Sequence, residues 1–558
     1  MHRRDFLQAL ALASAAAGLG APALAAETFP LYRLPPRKHA ASLIHLTDCH
    51  AQLLPVYYRE AAINIGAGES AGKPSHLTGE ALLKYYGLRR GTRLAHALTH
   101  IDFEKLALQY GKMGGFAHIA TLVKLIQSQR PGALLVDGGD NWQGSATSLW
   151  TRGADMVEAS KLLGVQVMTG HWEFTLGADR VLQLIRSDVA GSIEFVAHNV
   201  FTRDFGDRVF QPYVIREIAG MEIAIIGQAY PYTPIANPQH LIPDWTFGIH
   251  EQSLRDTITE VRKRGVAAVV LLSHNGVDVD LKLASRVEGL DAILGGHTHD
   301  PLLRPMRVRN SGGETLVANG GSNGKFLGVL DLYSKRGKIV SDYTLMPVFS
   351  NLLEPDSAMT ELIARLRAPF EQSLHKVLAV TDELLYRRGN FNGTFDEAIL
   401  DCLIHSQDAE IAFSPGFRWG TTLLPNSDIT MEDVMAQTAI TYPEVVVREM
   451  TGSEIKSNLE DIADNLFNKD PYYRQGGDMV RTRNLSYTCN PEASIGRRIE
   501  SITIKGEALE AGRRYRVASW ASVTPNPDAN TPVWEHLQRY ISQQGRIRHK
   551  SLNIPTLS

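Results

Sequence analysis

One local design repeats between about residues 42 and 345: a short apolar run ends abruptly in polar, glycine-rich residues. Between the runs lie segments with helical periodicity, such as 116–129 and 254–265. Strands that alternate with helices predict an α/β domain with largely parallel pairing. In such a domain the functional residues collect beyond the carboxyl ends of the strands. The apolar runs are 42–46, 133–136, 165–168, 267–272 and 290–294, and they lead into TDCH, DGGDNWQG, TGHWEF, SHNG and GGHTH.

These five polar tails carry seven nitrogen or oxygen donors. The donors are Asp48, His50, Asp140, His171, His274, His297 and His299. Asp-x-His and His-x-His place two side chains on one side of an extended segment. A single histidine in such a loop is more often a hydrogen-bonded loop residue, but five blocks in this order favour a metal centre. Imidazole and carboxylate donors without thiolates suit Mn, Fe or Zn.

Composition limits the other classes of function. A chain of 558 residues is too long for one core and predicts two or three domains. The net charge of −3 and the lack of a Lys/Arg cluster argue against a nucleic-acid partner. Cys49, Cys402 and Cys489 allow at most one disulfide. Because Cys49 lies between two donors on an extended segment, we expect it to be a buried thiol that points away from them.

The N-terminus has the pattern of an export signal. MHRRDFL contains an arginine pair, a weakly apolar run follows, and Ala23-Leu24-Ala25 suits a signal peptidase. We therefore predict a twin-arginine signal peptide over residues 1–26 and a periplasmic mature protein. No later apolar stretch approaches the ~20 residues of a spanning helix, so no membrane contact is expected after cleavage.

The remaining chain divides into three predicted parts. Residues 40–348 form the catalytic α/β domain, interrupted by a polar, Gly- and Tyr-containing insertion at 55–110 over one rim of the site. An amphipathic linker helix covers 349–375. The C-terminal domain, 376–545, mixes helices such as FDEAILDCLIHSQ with strands such as EVVVREM and RRYRVAS. Nothing in the sequence demands more than a monomer.

The five blocks resemble those of the calcineurin-like metallophosphoesterases, in particular the periplasmic 5'-nucleotidase branch. The resemblance implies a four-layer αββα catalytic domain with two metal ions, followed by a smaller α+β 5'-nucleotidase-type domain. It implies that a hydroxide bridging the metals is the nucleophile, with Asp140 and His299 acting directly in catalysis. By block matching, one metal takes Asp48, His50, Asp140 and His299, and the other takes Asp140, His171, His274 and His297.

The third block departs from that pattern. Phosphoesterases of this kind carry Gly-Asn-His-Glu-Phe-Asp, whereas this chain has Gly-His-Trp-Glu-Phe-Thr at 170–175. His171 replaces a ligand Asn, Trp172 replaces the catalytic His, and Thr175 replaces the Asp that orients it. That His–Asp pair matters most for a strongly basic leaving group. A persulfide or thiolate leaves as an anion without a proton.

Several longer segments resemble the SoxB family, the thiosulfohydrolases of periplasmic sulfur oxidation. They are TDCHAQL, YGKMGGFAHIATL, DGGDNWQGSATSLWTRG, TGHWEFTLG, FSPGFRWG and RQGGDMVR. The resemblance implies two manganese ions, although the donors also permit Zn or Fe. It implies a protein-borne substrate, a cysteine S-thiosulfonate on the C-terminal arm of the SoxYZ carrier. Hydrolysis releases sulfate and leaves a persulfide on the carrier.

Candidate substrate-binding residues lie in both domains. Arg418, in the segment 413–420, can bind an oxyanion bidentately and is a candidate catalytic residue, although it can equally cap a carbonyl. Each further candidate also has a purely structural explanation. The tryptophan can simply pack, the asparagine can end a strand, and the channel-lining segment can be an ordinary turn. These further candidates are Asn275, Trp172, Arg474, Gln475 and Asp478.

Two other functions remain open at this stage. The chain could be a periplasmic 5'-nucleotidase or general phosphoesterase with unusual acid chemistry. It could also be a non-catalytic, metal-bearing partner of the Sox complex. The complete set of seven donors argues against the second alternative, because lost catalysis would remove the main reason to hold two cations together.

Overall fold

The computed structural model describes residues 31–524, 531–549 and 551–558. The predicted signal peptide, residues 1–26, therefore lies outside the described residues. Among the helices in the described part, none is long and apolar enough to cross a membrane.

The first half of the described chain forms two large sheets. β1 to β4, β13 and β14 make one sheet, in the order β14-β13-β1-β2-β3-β4, in which β1 to β4 are parallel. The other has the order β11-β12-β10-β9-β7-β6, with a parallel centre. A small pair, β5 and β8, lies apart. The strands, labelled in chain order, are β1 Ala41–Leu46, β2 Leu134–Asp137, β3 Val165–Met168, β4 Glu194–Phe195, β5 Val200–Thr202, β6 Tyr213–Ile218, β7 Met221–Gln228, β8 Trp245–Phe247, β9 Ala268–Ser273, β10 Ala292–Gly295, β11 Met306–Asn310, β12 Gly313–Asn319, β13 Phe326–Lys335 and β14 Lys338–Pro347.

Helices cover the outer faces of the two sheets. α4 and α6 pack on the first sheet, and α9 and α10 pack on the second. The helices of this half are α1 Gly79–Tyr86, α2 Arg93–Leu98, α3 Phe103–Tyr110, α4 Phe116–Gln129, α5 Ala146–Thr151, α6 Ala154–Leu163, α7 Ala178–Gln183, α8 Thr233–Ala236, α9 Glu251–Lys263 and α10 Val277–Arg286.

The two sheets face each other across one apolar core. Val136 of β2 and Val167 of β3 share that core with Val270 of β9 and Leu294 of β10. Every residue of β1 is buried, as expected for a strand covered on both faces. The order helix, sheet, sheet, helix confirms the predicted four-layer α/β architecture.

The second half of the described chain is a smaller α+β domain with three short sheets. Their orders are β17-β15-β24, β18-β23-β16-β19 and β22-β21-β20-β25. The strands are β15 Val377–Thr381, β16 Ile411–Ser414, β17 Asp428–Thr430, β18 Val445–Thr451, β19 Arg481–Arg483, β20 Leu485–Cys489, β21 Ile499–Ile504, β22 Glu507–Ala508, β23 Arg514–Trp520, β24 Arg546–Ile547 and β25 Thr556–Leu557. The helices between the halves and in this domain are α11 Ser357–Arg367, α12 Glu371–Leu374, α13 Thr394–Gln407, α14 Met431–Thr438, α15 Gly452–Phe467 and α16 Val533–Gln544.

The segment 55–110 connects the two domains. Lys325, the residue directly before β13, is buried and forms an ion pair with Glu60 of this segment. A few residues further on, Asn64 Nδ2 donates to Asp300 Oδ1 at 2.9 Å, and the Ile65 amide donates to Asn390 Oδ1 at 2.5 Å. The segment therefore bonds to the N-terminal domain and to the C-terminal domain at once.

Candidate metal centre

All seven predicted donors lie together at the carboxyl edge of the two sheets. They follow directly on β1, β2, β3, β9 and β10, the five strands whose polar tails were singled out above. They form two groups that share Asp140, and within each group the donor atoms lie within 4.8 Å of one another. The groups are Asp48, His50, Asp140 and His299, and Asp140, His171, His274 and His297.

The first group brings two neutral histidine rings close to a carboxylate. His50 Nε2 lies 2.9 Å from His299 Nε2, and the latter lies 3.3 Å from Asp48 Oδ1. Burial, and secondarily His299, lowers the pKa of His50 to about 4, and burial with two nearby arginines holds the pKa of His299 well below its usual value. Both rings are therefore neutral, and in the tautomer with the hydrogen on Nδ1 each ring can turn an Nε2 lone pair toward the same point, as cation binding requires.

The second group is organised around Asp140. Its Oδ2 lies 3.0 Å from both His171 Nδ1 and His274 Nε2. His274 Nδ1 faces the Gly138 carbonyl at 2.6 Å and must donate to it, which directs Nε2 to the carboxylate. Although burial opposes it, Asp140 and Asp48 raise the pKa of His274 to about 10. The buried carboxylates of Asp48 and Asp140 thus favour a positive charge beside them. A divalent cation would supply that charge in place of the second ring proton of His274.

The backbone at these donors is strained. The five donors with a φ between 46° and 74° are Asp48, His50, Asp140, His297 and His299. Non-glycine residues in this left-handed region cost about 1 kcal/mol or more each and concentrate at functional sites. The strain therefore supports a cation-binding role rather than a role in packing alone.

One buried carboxylate that the sequence analysis did not single out holds two donor loops together. Glu173 accepts hydrogen bonds from the backbone amides of Asn141 at 2.7 Å, His171 at 2.8 Å and Asp140 at 3.2 Å. Burial raises the pKa of Glu173, while these amides stabilise its charge. Its position inside the TGHWEF block was the sequence feature that could have pointed to Glu173.

An aromatic cluster stands beside the donors. Trp172 packs edge-to-face on Trp419 and on Phe417, with ring centroids 4.9 and 5.3 Å apart, and its amide donates to Asp140 Oδ1 at 2.8 Å. Thr175 Oγ1 donates to the Trp172 carbonyl at 2.7 Å. Trp172 is 7% exposed, so it both packs and shields the donors from water. Neither Trp172 nor Thr175 offers an acid–base group.

Two arginines of the C-terminal domain approach the donors. Arg418 Nη1 donates to the Thr298 carbonyl at 3.0 Å, and Nη2 donates to the Gly477 carbonyl. Arg388, which the sequence analysis overlooked, donates to the same Thr298 carbonyl at 3.1 Å. Arg388 Nε is buried without a hydrogen-bond acceptor among the described residues, and Arg388 Nη1 and Arg418 Nε have only long ion-pair contacts with the Asp478 carboxylate, at 3.8 and 3.5 Å. Such donors favour an anionic ligand beside His299.

The four other candidate substrate residues mainly contact protein groups. Asn275, which follows β9, accepts a hydrogen bond from Gln228 Nε2 and donates one to Asp280 Oδ1, at 3.0 Å each. Arg474 forms an ion pair with Asp278. Asp478 accepts a hydrogen bond from Asn390 at 3.0 Å and lies beside Arg418 and Arg481. The Gln475 carbonyl lies 2.8 Å from His297 Nε2. A cavity lined by Asn275, Thr298, Arg418 and Gly476 separates the two domains.

The three cysteines are free and buried. Cys49 is fully buried, and burial raises the pKa of its thiol. The expectation of a buried thiol at this position is confirmed.

Residues 378–529 match the family model of the 5'-nucleotidase C-terminal domain. The chain is 24% identical to rat 5'-nucleotidase over 299 residues, which are 50% of this chain and 51% of that protein. It thus spans about half the length of the curated relatives that it matches first. A solved 5'-nucleotidase precursor from Thermus thermophilus shares the fold, with a TM-score of 0.73 at 20% identity over 93% of this chain and 99% of that one. The fold and the donor cluster are those of the metallophosphoesterase class with a 5'-nucleotidase C-terminal domain.

A second solved structure shows which family within this class the chain belongs to. The sulfate thiohydrolase SoxB of Thermus thermophilus is 36% identical, with a TM-score of 0.90, and the match covers 94% of this chain and 98% of that one. The chain belongs to the SoxB family.

Proposed function

We propose that this chain is a thiosulfohydrolase that releases sulfate from a cysteine S-thiosulfonate on a SoxYZ-type carrier protein. The observation that carries the proposal is Trp172, which stands against Asp140 at the position where the resembled phosphoesterases have a proton-donating histidine. The likeness to the SoxB of Thermus thermophilus supports it.

The seven donors would hold two divalent cations. We infer that the metal is manganese, and the donor types are also compatible with zinc or iron. When bound, such cations acidify water and offset the charge of an oxyanion. His274 is oriented for this by the Gly138 carbonyl, and Asp140 is shared by both groups.

The reaction needs no acid at Trp172. Water adds to the terminal sulfone sulfur, the bond between that sulfur and the sulfane sulfur breaks, and the electron pair leaves on the sulfane sulfur. The products are sulfate, a carrier persulfide and the protons of the water. Because a persulfide is a stable anion and needs no proton donor, an aromatic wall can stand where phosphoesterases have an acid. Trp172, Phe417 and Trp419 form that wall.

The negatively charged sulfone would be held from the opposite domain. Arg388 Nη1 and Arg418 Nε are buried donors that form no hydrogen bond among the described residues and face the Asp478 carboxylate at 3.8 and 3.5 Å. Charge-assisted hydrogen bonds from guanidinium groups are among the stronger ones in proteins and favour tetrahedral oxyanions. In this proposal Arg418 contacts the sulfone oxygens and Arg388 supports it through the shared Thr298 carbonyl.

The carrier arm would enter through the cavity between the domains. Its walls come from both domains, with Asn275 and Thr298 on one side and Arg418 and Gly476 on the other. An extended peptide arm needs a narrower passage than a nucleotide does. The ring faces of Phe417 and Trp419 already stack on each other at 4.1 Å, which leaves no gap between them for a base. We further propose that the mature chain works in the periplasm as a monomer, after export by the twin-arginine route.

Sulfate release from a carrier loaded with cysteine S-thiosulfonate tests the proposal. We expect metal-loaded enzyme to release sulfate and to leave a nucleotide and a chromogenic phosphate ester essentially untouched. His171→Ala should abolish sulfate release, whereas His405→Ala, an exposed histidine far from the donors in sequence, should not. Phosphate release without sulfate would overturn the proposal in favour of a variant 5'-nucleotidase.

A further inference from the structure

The C-terminal domain reaches one of the candidate metal donors through a backbone carbonyl. His297 Nε2 lies 2.8 Å from the carbonyl oxygen of Gln475. A carbonyl oxygen can only accept, so Nε2 must carry the hydrogen, and Nδ1 is left with its lone pair. Of the four histidines that follow β3, β9 and β10, His297 alone meets a carbonyl of the C-terminal domain among the described contacts.

Tyr230 fixes the same carbonyl from a second direction. Its hydroxyl donates to Gln475 O at 2.5 Å. The Tyr230 ring lies 4.3 Å from the His297 ring and 3.9 Å from the His171 ring, so one buried side chain contacts two donors and the carbonyl.

The loop that carries Gln475 is itself anchored on the N-terminal domain. Arg474 pairs with Asp278 of α10 and donates to Ser70 Oγ at 2.7 Å and to the Ala67 carbonyl at 2.9 Å. Arg474 is 6% exposed. A buried, multiply bonded guanidinium of this kind sets the position of its neighbour, so the Gln475 carbonyl cannot move freely relative to His297.

Glycine at position 476 permits this close approach. A Cβ there would lie 2.9 Å from His297 Cδ2 and would overlap its Nε2. The next residue, Gly477, has the same φ of 77°, but a Cβ on it would meet only the Gly416 carbonyl at 3.8 Å. The two glycines therefore have the same left-handed backbone conformation, but only a side chain added at position 476 would clash with His297.

We propose that the 474–476 loop is a positioning element for the metal centre: its Gln475 carbonyl holds His297 in the tautomer that turns Nδ1 toward the second cation. The C-terminal domain thus completes a metal centre whose donors all belong to the other domain. Groups that orient metal-binding histidines typically change metal affinity 10- to 100-fold when they are disrupted. This inference rests on the proposed pair of cations and extends it to a domain that supplies no donor.

Matched glycine variants test the inference by metal binding rather than by activity. The metal-free full-length chain is titrated with Mn²⁺, and free Mn²⁺ is followed by electron paramagnetic resonance. We expect the wild type and Gly477→Ala to bind two ions. Gly476→Ala should bind the first ion normally and the second about 10- to 100-fold more weakly. Equal affinities for both ions in Gly476→Ala and Gly477→Ala would overturn the inference.

Tyr230→Phe provides a second, milder variant that keeps the ring and removes only the hydroxyl. It should weaken the second Mn²⁺ by several-fold, and it keeps the test decisive if Gly476→Ala does not fold. An unchanged second affinity in Tyr230→Phe would then count against the inference. A wild type that binds fewer than two ions would instead refute the proposed metal pair, so the two failures are distinguishable.

Discussion

The hydroxyl of Tyr58 donates a 2.8 Å hydrogen bond to the backbone carbonyl of Arg418, and so joins the 55–110 segment to the loop that carries the candidate sulfone-binding arginine. A second contact lies alongside, where the Thr422 amide donates to the Tyr57 carbonyl at 2.8 Å. The insertion therefore holds the C-terminal domain over the metal centre, and removing its contacts should loosen that domain.

Tyr58→Phe should lower the free energy of unfolding by about 1 kcal/mol, the usual worth of one buried hydrogen bond. Thermal unfolding with calorimetric detection measures it. Tyr85→Phe is the control, because Tyr85 is 51% exposed. Equal melting temperatures for the Tyr58→Phe and Tyr85→Phe proteins would show that the bond contributes no net stability.

Arg418→Lys should lower kcat/KM for the loaded carrier at least tenfold. Arg418 spans the Thr298 and Gly477 carbonyls with Nη1 and Nη2 and faces Asp478 with Nε at 3.5 Å, and a lysine ammonium cannot match that planar arrangement. Steady-state sulfate release gives the ratio, with bound metal measured alongside. The exposed Arg448 provides Arg448→Lys as the matched control. A normal kcat/KM in Arg418→Lys would remove this residue from the substrate site.

The double variant Trp172→His, Thr175→Asp should gain hydrolysis of a phosphate ester with a basic leaving group, by tenfold or more over the wild type. A placed general acid typically contributes 10²- to 10⁴-fold to such reactions, and the wild-type pair offers no proton donor. Trp172→Phe, which keeps an aromatic ring, is the control and should gain nothing. If the double variant retains two metals and gains no phosphate release, the lost acid does not explain the substrate preference.

Acid should remove the stability contributed by Glu251. Although burial opposes it, hydrogen bonds from Arg286, Tyr472 and Arg255 lower the pKa of Glu251 to about 2. Because its folded pKa is depressed, the contribution is complete above the unfolded value of about 4.3 and is lost as pH falls towards 2. Wild type should therefore exceed Glu251→Gln by about 1 kcal/mol at pH 7, after allowance for solvent screening.

The measurement is the difference in melting temperature between wild type and Glu251→Gln at a series of pH values. We expect the difference to stay constant from pH 7 to 5 and to shrink below pH 4. A difference that persists unchanged at pH 2.5 would contradict the assigned role of this carboxylate.

Much of the catalytic fold could be predicted because its signals are local. The periodicity of 116–129 predicted a helix that spans Phe116–Gln129, and the apolar run 165–168 is the strand Val165–Met168. In parallel α/β sheets the strand ends share one edge, so donors at five strand ends could be expected to meet.

The supporting contacts could not be predicted in this way. Glu173 binds amides up to 33 positions away in the chain, and Arg388 meets Asp300 across 88 positions. Arg474, a candidate for the channel wall, lines the cavity between the domains, and its partners Asp278, Ser70 and Ala67 lie far from it in the chain. No periodicity or spacing encodes which loops of two separate domains come into contact.

By itself the sequence determined the chemistry available at the site: seven imidazole and carboxylate donors at strand ends, and a tryptophan in place of an acid. Residue identity and strand order suffice for that, because they are properties of short segments. Only the tertiary structure decided that a carbonyl at Gln475 orients His297 and that Tyr58 secures the Arg418 loop. Those contacts depend on the packing of two domains, which is the sum of many weak interactions between residues far apart in the chain.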